Sequence, residues 1–273
     1  MSFFKSLLVF MYISSIPLAY AHEFWLEPHA YQLETGGNII ADARVGQFFR
    51  GNAQYYLPKF FKQFEIIDNK GRRAVQSRVG DLPAVNEPMT QAGLATLAYV
   101  SKPSRVTYED MDKFSTFVEK HDLGWVLQRH VDRKLPEKEI NEAYVRHSKA
   151  LVQVGAVKSA DSDQRLGHLF EWVLAVNPYA VEQNNLSAVL YWQDAPLSGA
   201  TVRVFFDGGD KKDAITETIL ITDAQGRIEF DASLLGEYLL NAVQMVEPSA
   251  ALKKSHNAMW LSHWASLTFG QAQ

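Results

Sequence analysis

The stretch Leu135–Gly155, LPEKEINEAYVRHSKALVQVG, decides how the chain divides. Ile140, Ala143, Tyr144, His147 and Leu151 recur at three- and four-residue steps, the spacing of one helical face. Pro136 suits a first helical turn, Glu137 and Glu139 complement the positive end of a helix dipole, and Lys149 sits near the other end. Glu142 and Arg146 stand four apart, where an exposed helical ion pair adds about 0.2–0.5 kcal/mol. The pattern predicts a helix. Just upstream, YEDMDKFSTFVEKHDLG (108–124) carries Met111, Phe114, Phe117 and Val118 at helical spacing and stops at Gly124. Residues 125–135 predict a second helix. Together these segments predict a helical insertion over residues 107–151.

On both sides the period changes to that of strands. In residues 22–106, Asn38–Val45 alternates in part after a Gly36-Gly37 turn, and Leu94–Val100 is a short apolar run. Phe64–Asp68 runs into Asn69-Lys70-Gly71, a hairpin-like turn. In residues 152–273, strands are predicted at 172–176, 186–192, 200–206, 216–222, 227–230, 238–246 and 260–269, at the spacing of a sandwich. Asp223 and Gly226 in TDAQGRIEF supply turn chemistry between two of them. The predicted fold is mainly β, with two β-sandwich-like domains (22–106 and 152–273) and the helical insertion between them.

Residues 1–21, MSFFKSLLVFMYISSIPLAYA, have one cation, Lys5, an apolar run from Leu7 to Leu18, and the small-x-small ending Ala19-Tyr20-Ala21. This is the pattern of a secretory signal peptide cut after Ala21. The run is short of the roughly 20 apolar residues that span a bilayer. Removing 21 of 273 residues leaves 252, enough for a real core. The remaining chain has 26 basic and 31 acidic side chains, with no basic cluster of the kind that binds nucleic acid. Cysteine is absent, so any metal must be held by imidazole, carboxylate, amine or carbonyl groups. The expected location is periplasmic or secreted.

Cleavage after Ala21 makes His22 the first residue. Its α-amine and Nδ1 can then grip one metal ion, and a second imidazole would complete a nitrogen-rich tetragonal set suited to Cu(II) or Ni(II). His29, seven residues on, and His263, in WLSHWASLTF (260–269), are the candidate second ligands. A histidine in a core strand is more often structural. His121, His130, His168 and His256 fall near helix ends or loops and are expected to be solvated. Glu23 and Glu27 share a strand face with Trp25, read as a solvated face; Trp260 and Trp264 share another, read as core.

Five blocks resemble a known family in the same order: AHEFWLEP (21–28), EAYVRHSKALVQVG (142–155), NPY (177–179), PLSGATVRV (196–204) with TDAQGRIEF (222–230), and WLSHWASLTF. They are similar to a bacterial exported family of unknown function, formerly labelled a nickel-uptake or cobalt-transport periplasmic component. The resemblance implies two β-rich halves, the second like a transthyretin or carboxypeptidase-regulatory sandwich. His147-Ser148-Lys149 departs from the family's usual E-x-Y-x-R-x-A-K block. The function implied is an exported metal-handling protein that binds Ni(II), Co(II) or Cu(II) for delivery to a membrane transporter, with a membrane metal transporter or an outer-membrane receptor as the expected partner. Two other readings fit the same residues. One is a non-catalytic structural or interaction module of the cell envelope. The other is an amino-terminal copper-brace oxidative enzyme, which needs a flat, exposed aromatic surface around His22.

Overall fold

Residues 138–154 form one long strand, not the helix that their spacing predicts. The computed structural model describes residues 22–157, 161–180, 185–209 and 215–271; the predicted signal segment, 1–21, lies outside them. The strand reading follows from burial on two sides. Ala150, Val152 and Val154 pack into one core, and Leu151 into another. Successive strand residues point to opposite faces, and both faces are covered from Ile140 onward, so the segment shows no in-out alternation. Tertiary pairing overrides the helix propensity of its Glu, Ala, Lys and Arg residues.

The chain order is β1 (Glu23–Pro28), β2 (Gln32–Leu33), β3 (Asn38–Gln47), β4 (Arg50–Gln54), β5 (Phe61–Asp68), β6 (Gly71–Ala74), β7 (Val85–Pro88), β8 (Gly93–Ser101) and β9 (Ser104–Asp110). Two helices follow, α1 (Met111–Lys120) and α2 (Trp125–Asp132). Then come β10 (Lys138–Val154), β11 (Phe170–Leu174), β12 (Asn185–Trp192), β13 (Ala195–Pro196), β14 (Thr201–Asp207), β15 (Ile215–Ile221), β16 (Arg227–Asp231), β17 (Gly236–Val246), α3 (Ala250–His256) and β18 (Trp260–Gln271). The strands predicted from alternation are present in both halves, including the β5–β6 hairpin closed by Asn69 and Lys70.

A ten-stranded sheet runs β15-β14-β17-β18-β10-β8-β5-β6, with β2 and β9 also on β10. Each edge of β10 is filled by two strands. On one edge β9 pairs with Lys138–Tyr144 and β8 with Leu151–Val154, both antiparallel. On the other, β18 pairs with Glu142–Ala150 and β2 with Gln153–Val154, both parallel. Smaller four-stranded sheets pack against this spine. β1, β3, β4 and β7 cover a core of Phe24, Leu26, Ile39, Phe64 and Ile66. β11, β12, β13 and β16 cover another, of Phe170, Trp172, Leu190, Leu240 and Phe269. The fold is thus mainly β with two sandwich-like halves, and they share the central sheet.

The helices close a third cluster. Phe114, Phe117 and Val118 of α1 and Val126 of α2 pack on Met245, Trp260 and Trp264. Asp110 caps α1 by accepting from the Lys113 amide at 3.0 Å. Trp260 and Trp264 are core residues, as their strand spacing predicts. Glu23 departs from the expected solvated face: like Trp25 beside it, it is buried, because Phe49 and Phe205 cover that face.

Lys149, on the same β10 face as Leu151, is 1% exposed. Its Nζ donates to Asp163 Oδ1 at 2.6 Å, to Glu171 Oε1 at 3.4 Å, and to the carbonyls of Gln164 and Trp172. These contacts tie the loop 161–169 and β11 to the spine. Burial raises the Asp163 pKa, against the pull of the ammonium beside it. Removing one member of such a set strands the others without a counter-charge. Lys149→Ala is expected to cost about 3–5 kcal/mol of unfolding free energy, measured by urea denaturation; a loss below about 1 kcal/mol would show that the cluster does not hold the layers together.

Candidate functional site

The three histidines proposed as ligands lie apart. His22 precedes β1, and its carbonyl accepts from Arg146 Nη2 at 3.1 Å. His29 follows the far end of β1, roughly 20 Å away at the usual strand rise. Its Nε2 is 3.4 Å from Asp42 Oδ2, and the side chain is half exposed. His263 lies on β18 and meets His147, whose side chain leaves β10 on the face opposite Arg146. Among the described residues, no group of three or more His, Asp or Glu side chains is arranged to hold a metal ion. Phe24 and Trp25, the aromatic residues beside His22, are buried and offer no flat exposed surface there.

The structure assembles imidazoles that the sequence did not connect. His147 Nε2 lies 3.1 Å from His263 Nδ1. The His168 ring centroid is 6.0 Å from that of His147, and the Trp192 ring is edge-on to His263 at 5.0 Å. All three histidines are buried. His147 Nδ1 and both ring nitrogens of His168 lack a hydrogen-bond partner among the described residues. Burial dominates their titration: it holds His147 well below its usual pKa and brings His168 and His263 down to about 4. The imidazoles are therefore neutral at pH 7. His121 and His130 are also buried rather than solvated. His121 packs between Phe117 and Trp264, and His130 Nδ1 accepts from Trp260 Nε1 at 3.1 Å.

A second site forms on the opposite face of β10. A pocket of about 220 Å³ lies between β1, β3 and β4 on one side and β5, β8 and β10 on the other. Phe24, Tyr56, Phe61, Phe64 and Tyr99 form its aromatic wall. Their rings stack or meet edge-on at centroid distances of 4.5–6.0 Å. Arg146 is the single charged side chain of the lining. Its guanidinium lies 4.7 Å from the Tyr144 ring and 5.6 Å from the Phe24 ring. Nε is buried without a partner, and no carboxylate pairs with this arginine among the described residues. Burial lowers its pKa from the usual arginine value and pushes the Tyr99 phenol up to about 12. The guanidinium stays charged all the same.

The predicted Glu142–Arg146 pair does not form, because four residues along a strand span roughly 13 Å. Glu142 is fully buried and instead accepts from Tyr108 Oη at 2.8 Å and from Ser262 Oγ. Trp264 Nε1 donates to the same Ser262 oxygen at 3.0 Å. Burial raises the Glu142 pKa from 4.5 to about 7, with the two hydroxyl donors pulling the other way.

Fold and pocket together define a class: a mainly β protein of two sandwich-like halves on a shared sheet, with an aromatic pocket closed by an unpaired arginine. The chain belongs to the family described as a domain of unknown function (DUF4198), which matches residues 19–246. No curated protein matches the chain. Among solved structures it is similar to a Salmonella alpha-2-macroglobulin mutant, at 13% identity and a TM-score of 0.22, over 97% of this chain and 16% of that one. It is also similar to the tetra-tandem repeat in the extending region of a large adhesion protein, at 11% identity and TM-score 0.23, over 91% of this chain and 49% of that one. The D0-D1 domain of intimin is matched at 11% identity and TM-score 0.21, over 91% and 98% of the two chains. The chain spans only a small part of the macroglobulin, and likenesses this remote say nothing about its task.

The Glu142 environment gives a pH test. A carboxyl with a raised folded pKa contributes stability that is fully present below its unfolded value and is lost as pH rises through its folded one. For Glu142 that window runs from 4.5 to about 7. Glu142→Gln lacks this titration. Its stability relative to the native chain is expected to improve by on the order of 3 kcal/mol between pH 4.5 and pH 8, read from urea midpoints at a series of pH values. A difference that stays flat across that range would place the proton elsewhere.

Proposed function

We propose that the protein is an exported, non-catalytic binding module of the cell envelope, acting through the pocket that Arg146 closes. Export rests on the signal pattern of residues 1–21. One observation carries the binding reading: a partly buried guanidinium with no carboxylate partner among the described residues, its Nε out of reach of solvent and of any acceptor, in the lining of an aromatic pocket. Withdrawing part of a guanidinium from water without a counter-charge costs free energy, and an acceptor brought by a ligand would offset that cost. A concave, mainly apolar cavity with one well-placed polar group is the usual form of a small-molecule site. Ligand-observed NMR with a panel of small aromatic and aliphatic compounds, charged and neutral, tests this. Binding is expected for part of the panel. It should weaken in Phe61→Ala, and also in Tyr55→Ala, which alters only the exposed rim. A panel with no binder, or binding that neither substitution changes, overturns the reading.

A second reading, metal handling, has its own observation in support. His147 and His263 lie within hydrogen-bond distance of each other with His168 nearby, and three ring nitrogens of His147 and His168 are unpartnered among the described residues, so side-chain rotation would be needed to turn them toward one ion. Under this reading the protein binds Ni(II), Co(II) or Cu(II) for delivery to a membrane transporter, either at these imidazoles or at an amino-terminal His22. Titration of the native chain, His22→Ala and His263→Ala with each ion separates the sites. Metal affinity should fall at least about tenfold in the variant that loses a ligand; equal affinity in all three proteins sinks the reading.

A further inference from the structure

The Arg146 pocket has a charge, a shape and a size, and these restrict its occupant. Its guanidinium makes one hydrogen bond among the described residues, to the His22 carbonyl, and has donors that no protein acceptor uses. Guanidinium is a planar fork that matches a carboxylate in two parallel hydrogen bonds. The lining brings no acidic side chain to meet it. Much of the wall is aromatic, with Phe61 and Tyr99 each edge-on to Phe64, an arrangement that takes a ring by offset or edge contact. Ser101 and Ser104 add hydroxyls near the charged end, and the Ser101 Oγ already accepts from the Arg146 amide at 2.9 Å. At about 220 Å³ the cavity is smaller than the roughly 300–1,000 Å³ of drug-sized sites.

We infer that this pocket binds a small arylcarboxylate, with one aromatic ring against the Phe and Tyr wall and its carboxylate on Arg146. The inference rests on the binding-module reading above and specifies the ligand of that site. The fully buried cation of the same strand provides the comparison. Lys149 meets two carboxylates and two carbonyls inside the protein, so this fold neutralises a buried charge where it needs to. At Arg146 the matching anion is left for a ligand to bring. Its charge is then compensated in the bound state, at low dielectric, where the attraction is strongest.

Phenylacetate and phenylacetamide test the inference, because they share a shape and differ in charge. Each is titrated by calorimetry against the exported chain and against Arg146→Lys and Arg146→Met. Phenylacetate is expected to bind the native protein at least about tenfold more tightly than phenylacetamide. Arg146→Met should lose that preference, and Arg146→Lys should retain part of it through a point charge without the fork. Urea midpoints confirm that the variants fold; were Arg146→Met unfolded, the Lys variant would still have to bind the acid more weakly than the native chain. Equal affinity for acid and amide, or an acid affinity that survives both substitutions, overturns the carboxylate inference. In that case binding that still depends on Phe61 leaves the module reading standing. Failure of every compound to bind removes both.

Discussion

The structure depends on one strand that is covered on both faces and paired on both edges. β10 gives its backbone groups to β9 and β8 on one side and to β18 and β2 on the other. Between the β9 and β8 pairings the Arg146 amide donates to Ser101 Oγ instead of a strand, and along the strand successive side chains alternate between the two faces. Even-numbered residues from Tyr144 to Val154 face the amino-terminal sandwich, and odd-numbered ones from His147 to Leu151 face the carboxy-terminal one. A one-residue slip would exchange these sets and place Arg146 against His263 and Lys149 in the aromatic half. The parallel pairing with β18 fixes the register over nine residues, from Glu142 to Ala150.

That sorting explains how two cations on one strand, Lys149 fully buried and Arg146 partly so, come to such different ends. Lys149 enters the side where the loop 161–169 and β11 bring Asp163 and Glu171. Arg146 enters the side built from β1, β3, β5 and β8, whose inward residues at this point are aromatic or small. Its positive charge is eased by the faces of Tyr144 and Phe24 and by one carbonyl, each worth far less than a carboxylate in a dry site. The carboxyl that β10 does bury, Glu142, is engaged by Tyr108 and Ser262 instead, and burial raises its pKa to about 7 against the pull of those two donors.

Much of this architecture was legible in the sequence, because alternation is a direct trace of a half-covered strand. Leu186–Trp192 reads correctly for that reason, Tyr238–Val246 as a continuous apolar run, and the turn at Asp223–Gly226 from its residue types. Residues 138–154 misled because a strand buried on both faces has no alternation to show, and their Glu, Ala, Lys and Arg content favours helix. The imidazole cluster left no local trace: His147, His168 and His263 come from β10, the loop before β11, and β18, and only the fold joins them. The pocket did leave one. YYLPKFFKQF (55–64) is dense in aromatic residues around Pro58, and such a loop-to-strand stretch is a reason to look for a cavity.

His22 stands at the meeting point of these observations, although not through its ring. The sequence draws attention to its imidazole and to the amine that cleavage would free. In the fold, the carbonyl of His22 takes the Arg146 hydrogen bond, and the next residues lead straight into β1, where Phe24 forms part of the pocket wall. β1 is held along its length by β3, from Glu23 opposite Gly46 to Pro28 opposite Ala41. Thr268 Oγ1 of β18 also donates to the Leu26 carbonyl at 2.6 Å. The start of the described chain is therefore anchored, not frayed, and its position fixes where the guanidinium points. The backbone at residue 22 thus has a structural duty that any side chain there would leave intact, and the imidazole stays free to be judged on its own chemistry.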